Sequence, residues 1–213
     1  MNFRTTRRGP VLLVALLLVL AATLLMWPTS DKTPRHVWPA PSAATSSPSQ
    51  TAVAFAHRLG FTTPYVTATS VFANSATVDI SPVGPESGLL VLATTRVNES
   101  RANGKWLVTS CSSSQLVVYS PRPDSIISGM LPVRAATTAY EAVVNVQLRD
   151  IESWELEWKS TMMGGSMGEM GPASGLFPLR SAASHPVALV LLSRSARDGG
   201  VIAATVVPLT ERS

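Results

Sequence analysis

The chain predicts three parts in order: an N-terminal transmembrane helix, a small α+β domain of one helix plus antiparallel strands, and an all-β sandwich. Three observations carry this. An uncharged apolar run fills residues 11–27 behind a cluster of arginines. One helical pattern, at residues 51–59, precedes β-branched and alternating stretches up to residue 119. Beyond residue 120 only short strand patterns follow, with turn residues between them, and that spacing marks a β-sandwich.

Residues 11–27 read VLLVALLLVLAATLLMW. As a helix with about 1.5 Å rise per residue they span roughly 25 Å, the short end for a bilayer core of about 30 Å. Arg4, Arg7 and Arg8 hold residues 1–10 in the cytoplasm by the positive-inside rule. Trp27 suits the headgroup layer, and Pro28 stops the helix. This predicts a single-pass protein of the cell membrane, N-terminus cytoplasmic and C-terminal domains extracytoplasmic. The alternative is secretion after signal cleavage, since a signal peptide also has a basic start and an apolar core. Here the core runs through Ala21-Ala22-Thr23 into Leu24-Leu25-Met26-Trp27, and no good A-x-A site follows. A lipoprotein signal needs a Cys after the core, and the only Cys is Cys111.

The sequence pI of 9.7 invites a nucleic-acid reading, but the charge is unevenly placed. Residues 1–50 hold Arg4, Arg7, Arg8, Lys32 and Arg35 against Asp31, which is the whole net charge of +4. Residues 51–213 are neutral, so nucleic-acid binding has no basic patch to stand on. One Cys makes no intramolecular disulfide. Cys111 follows Trp106-Leu107-Val108 and reads as a buried small hydrophobe, with no neighbour to activate a thiolate.

Residues 28–50 are rich in Pro and Ser and lack apolar periodicity, so they read as a disordered linker. His36 within it reads as solvated. Residues 51–59 read as a short helix, capped by Ser49 or Thr51 and closed at Gly60, with His57 facing outward. Strands are expected at residues 65–72, 76–80, 89–97, 105–109 and 115–119, with residues 98–104 a polar loop. They complete the α+β domain, residues 51–119. Residues 120–213 form the sandwich. Its strands are expected at 126–127, 131–135, 143–149, 154–158, 176–179, 187–192 and 201–207. Val144, Val146 and Leu148 alternate inward. Trp154, Leu156 and Trp158 alternate with Glu155 and Glu157. The run at residues 187–192 suits a central strand covered on both faces.

Residues 120–209 resemble the Gmad2 family, the immunoglobulin-like domain associated with bacterial spore germination. The resemblance rests on Ser120-Pro121, on Leu131-Pro132-Val133, and on Ala139-Tyr140-Glu141-Ala142-Val143-Val144-Asn145-Val146. It continues in the loop Gly165-Ser166-Met167-Gly168-Glu169-Met170-Gly171-Pro172 and in Ser193-Arg194-Ser195-Ala196-Arg197-Asp198-Gly199. The family usually has glycine where Ala135 stands and an aromatic where Ala173 stands. The preceding unit looks like the companion of such domains in actinobacterial proteins. The resemblance implies an immunoglobulin-like sandwich outside the cytoplasm, without enzyme activity.

No catalytic constellation stands out, and no cofactor is expected. Met162, Met163, Met167 and Met170 put four of the seven methionines within residues 162–170. With Glu169 they are read as a partner-contact loop, because flexible Met side chains suit adaptable contacts. The alternative is a copper or small-ligand site, since thioethers select Cu(I), although no His or Cys lies nearby in sequence. Glu152, Glu155 and Glu157 read as a solvated strand face, not the paired carboxylates of a glycosidase. Glu141 reads as a strand-tying hydrogen-bond partner. His185 precedes Pro186 in a turn and serves no nucleophile motif. The function expected is a non-catalytic binding or assembly role in the cell envelope, toward a protein or cell-wall partner.

Overall fold

The computed structural model describes residues 36–38, 44–84, 94–139, 142–165, 168–179 and 184–212. The apolar segment at residues 11–27, and with it the expected transmembrane helix, lies outside the described residues. So do Tyr140, Glu141 and Met167. Among the described residues no helix is long and apolar enough to cross a membrane. The described residues belong to one compact unit, Pro34–Ser213.

The one helix described, α1 (Pro48–Leu59), starts three residues earlier than the apolar pattern suggested. Ser47, in extended conformation, is the N-cap, and its carbonyl accepts from Thr51 N–H at 3.1 Å. Pro48 stands at N1, where its missing N–H costs nothing. Gly60 ends the helix with φ +100°, a left-handed cap that a side chain would strain.

Twelve strands follow among the described residues. They are β1 (Tyr65–Phe72), β2 (Ser75–Ser81), β3 (Thr95–Ala102), β4 (Lys105–Ser113), β5 (Leu116–Ser120) and β6 (Ile126–Ile127). Then come β7 (Met130–Thr137), β8 (Val143–Asp150), β9 (Leu156–Met163), β10 (Gly171–Pro178), β11 (His185–Arg194) and β12 (Val201–Glu211). The main path runs β1-β2-β3-β4-β12-β11-β8-β9. A second group pairs β5 with β7 and β7 with β10. All pairings are antiparallel except the short parallel contact of β6 with β12. The result is one helix with a mostly antiparallel sheet, consistent with an immunoglobulin-like sandwich carrying an α+β extension.

Three expectations are corrected here. Residues 98–104 are not a loop: β3 runs to Ala102, and the turn is Asn103-Gly104, both with positive φ (51° and 77°). That is the Asn-Gly hairpin turn whose twist matches the strands it joins. The strand β5 does not close the α+β part. It pairs with β7 from Leu116↔Thr137 to Ser120↔Arg134, and Leu116 lies in the sandwich core.

The third concerns the linker. Its described part is packed. β12 meets β4 at a single pair, Val206↔Cys111, which leaves the first half of β4 with an open edge. The linker fills it. Val37 N–H donates to Val108 O at 2.7 Å, Val108 N–H to Trp38 O at 2.6 Å, and Trp106 N–H to Thr45 O at 2.9 Å. These bonds satisfy strand groups that would otherwise face the core unpaired. Trp38 stacks on Phe55 with ring centroids 5.6 Å apart.

Two cores share the central strands. On one face α1 contributes Phe55, Ala56 and Leu59, which meet Ala188, Val190 and Leu192 of β11 and Ala204 and Val206 of β12. On the other face Leu131, Val133, Ala173 and Phe177 of β7 and β10 meet Val187, Leu189, Leu191, Val207 and Leu209. β11 is therefore covered on both sides, as its unbroken apolar run predicts.

Candidate functional site

At the β8–β9 end of the main sheet the chain makes a turn at residues 151–155 and returns with a bulge. Leu148 pairs with Trp158 and Arg149 with Leu156, so Glu157 is the extra residue on β9. A bulge kinks the strand and re-aims the side chain it carries. It also ends the expected alternation. Leu156 is exposed, while Trp154 lies before the strand with φ +60° and packs edge-on against Phe55 under the helix. Trp158 packs on Phe177 in the other core. The two tryptophans read as one strand face thus belong to different cores.

The bulge turns Glu157 toward the start of β11. His185 Nε2 lies 2.5 Å from Glu157 Oε1 and 4.0 Å from Asp150 Oδ2. Asp150 ends β8, opposite Val187. One ligand-type atom from each of Asp150, Glu157 and His185 lies within 4.8 Å of the others. The Asp150 carboxylate is held in place: Oδ1 accepts from Ser153 N–H at 2.6 Å and from Ser153 Oγ at 2.9 Å. That leaves Oδ2 turned to the imidazole. The side chains keep 22–24% of their surface open, so the cluster borders solvent.

Neighbouring charges are placed by register. Arg149 alternates to the opposite face from Asp150, donating to Gln147 Oε1 and Trp154 O at 2.9 Å each. Burial, and behind it the charge of Arg58, hold its pKa below the usual arginine value. Glu211, buried, is the cross-strand partner of His185 on β12.

The expected contact loop divides. Met162 is in β9 and buried at 4% exposure in the sandwich core, while Met163 points the other way at 64%. Glu169 and Met170 are exposed, Met170 at 49%. Met162 is thus a core residue and not a surface contact. Glu152 and Glu155 are exposed as expected, and His57 is exposed with Nδ1 3.2 Å from Phe61 O. Cys111 is buried, and burial pushes its thiol pKa far up. A groove of about 430 Å³ lies over β4, β5 and β12, with Ser112, Ser114, Tyr119 and Arg122 among its lining residues.

By sequence alone Glu157 belongs to a solvated strand face, His185 to a turn, and Asp150 carries no mark. Their grouping depends on a bulge and on the β8–β11 pairing, neither of which has a local sequence mark.

The family model for the immunoglobulin-like domain of bacterial spore germination, Gmad2, matches residues 115–200. The match begins at β5, in keeping with that strand's place in the sandwich. No curated protein and no solved structure matches the chain.

Proposed function

We propose that this chain is a membrane-anchored extracytoplasmic protein whose immunoglobulin-like module serves a non-catalytic binding or assembly role in the cell envelope. The observation that carries the reading is the match of residues 115–200 to an immunoglobulin-like family that is not known for enzyme activity. The anchor rests on the sequence of residues 1–28: three arginines, an uncharged apolar run, then Trp27-Pro28. The partner is a protein or a cell-wall component outside the cytoplasm. Met163, Glu169 and Met170 form the proposed contact, with two exposed thioether side chains that adapt to a partner surface.

The test is photo-cross-linking in intact cells from a benzoyl-phenylalanine placed at Met170, with placement at exposed Ser114 as control. A discrete envelope adduct from position 170 is expected. Repeated absence of any extracytoplasmic adduct from position 170 overturns the reading. A copper site on residues 162–170 ranks second, because Met162 is committed to the core and Met163 and Met170 are the exposed thioethers described.

A further inference from the structure

We propose that Asp150, Glu157 and His185 form a binding site for a divalent transition metal of the zinc class, with its fourth coordination position open to solvent. The ligand set is one imidazole nitrogen and two carboxylate oxygens, a mixture that zinc accepts at about 2.0–2.2 Å. Tetrahedral bonds of that length put ligand atoms about 3.3 Å apart. The observed separations straddle that value: 2.5 Å from His185 Nε2 to Glu157 Oε1 and 4.0 Å to Asp150 Oδ2. Closing the site therefore takes shifts of less than about 1 Å in two carboxylates, well within side-chain rotation.

Three features beyond proximity argue for a site. The ligands come from three strands whose register is fixed by long ladders, β8 with β9 and β8 with β11, so the backbone is preorganised. The Asp150 carboxylate already has an outer-shell support in Ser153, which leaves one oxygen free to ligate. The nearest guanidinium on the same strand, Arg149, is directed to the other face, so its charge does not occupy the two carboxylates. Binding takes the His185 ring as neutral imidazole with its one proton on Nδ1, an imidazolium releasing its Nε2 proton to solvent, and the hydrogen bond to Glu157 becomes a shared metal. With side chains 22–24% open, the fourth position takes water or a donor from a partner. The ion would clamp β8, β9 and β11 where the turn at residues 151–155 leaves the sheet.

The test is calorimetric titration of the full-length, detergent-solubilised, chelator-stripped chain with Zn²⁺ as the only probe, repeated with Co²⁺ and read by its visible absorption. One equivalent per chain is expected, with a four-coordinate Co²⁺ spectrum. Glu157→Gln and Asp150→Asn should each weaken binding by about tenfold or more, as loss of ligands or their supports does elsewhere. His185→Gln should abolish the Co²⁺ band, whereas His57→Gln and the Met163→Leu/Met170→Leu pair should leave binding unchanged. The Zn²⁺-free unfolding midpoint of each variant verifies that it folds, and Zn²⁺ should raise the midpoint of the wild type and of the two control variants but not that of His185→Gln. Folded wild type without stoichiometric uptake overturns the proposal. So does affinity unchanged in the three ligand variants, which would make the Glu157–His185 contact a plain strand-to-strand hydrogen bond. Either outcome leaves the partner-binding reading untouched, because that rests on other residues.

Discussion

Ala135 of β7 and Ala173 of β10 are cross-strand partners, and each is only 3% exposed. They are also the two positions where the chain departs from the pattern of the family it resembles, glycine at the first and an aromatic at the second. The departures face each other. Where that pattern pairs a glycine with an aromatic, this chain pairs two methyl groups.

The pair is expected to be coupled. Ala173→Phe alone pushes a ring onto the Ala135 methyl and should cost about 1–3 kcal/mol by overpacking. Adding Ala135→Gly should recover at least about 0.5 kcal/mol of that, the lower end of coupling between touching residues. Urea unfolding of the two single variants and the double variant measures it; additive losses would show that the two positions do not compensate.

Met162 and Met163 are adjacent in sequence and opposite in consequence. Met162→Ala empties a core position and should destabilise by about 2–5 kcal/mol, whereas Met163→Ala should stay within about 0.5 kcal/mol. Thermal unfolding separates them, and mild peroxide should convert Met163 to its sulfoxide well before Met162, as peptide mass mapping would record.

Glu99 is buried at 2% exposure, and neither carboxylate oxygen has a hydrogen-bond partner. Burial pushes its pKa up to about 8 from an ordinary 4.5. The folded chain therefore holds a proton that the unfolded chain has lost between those values. Stability from this group is unaffected below pH 4.5, falls as pH rises toward about 8, and then levels off. The total loss is on the order of 5 kcal/mol at about 1.4 kcal/mol per unit. Glu99→Gln keeps the shape without the ionisation and should flatten that slope in denaturant titrations at pH 5, 6.5 and 8.

Cys111 has a buried thiol held in its protonated form, 3.8 Å from Ala204 O. Its nucleophilic form is thus suppressed twice, by access and by burial. Ellman's reagent should find no reactive thiol in the native chain at neutral pH and one after unfolding in guanidinium. Rapid native labelling would contradict the placement of Cys111 under α1.

Much of the fold is legible because it depends on short-range patterns. Strict alternation at Val144, Val146 and Leu148 fixes which face of β8 is inside, since a strand places successive side chains on opposite faces. The unbroken run in β11 announces burial on both faces. Gly60 announces the helix end, because the left-handed cap favours a residue without Cβ. The Asn103-Gly104 turn was equally legible, and its two-residue signature outranks the polar character that suggests a loop.

Other features have no local mark. Val37 and Trp38 carry the composition of a linker, yet they become strand partners because β12 leaves half of β4 unpaired. Trp154 and Trp158 sit two apart from Leu156 in a regular alternation, and the bulge at Glu157 sends the tryptophans to different cores. Asp150, Glu157 and His185 span residues 150–185 and meet only through the β8–β9 and β8–β11 registers. The sequence by itself determined the inward face of β8, the central strand, the helix end and the resemblance to an immunoglobulin-like family, because each depends on residues a few positions apart. The tertiary structure alone decided which edge was left open, where the bulge fell and which polar groups it brought together, because those follow from pairing between distant strands.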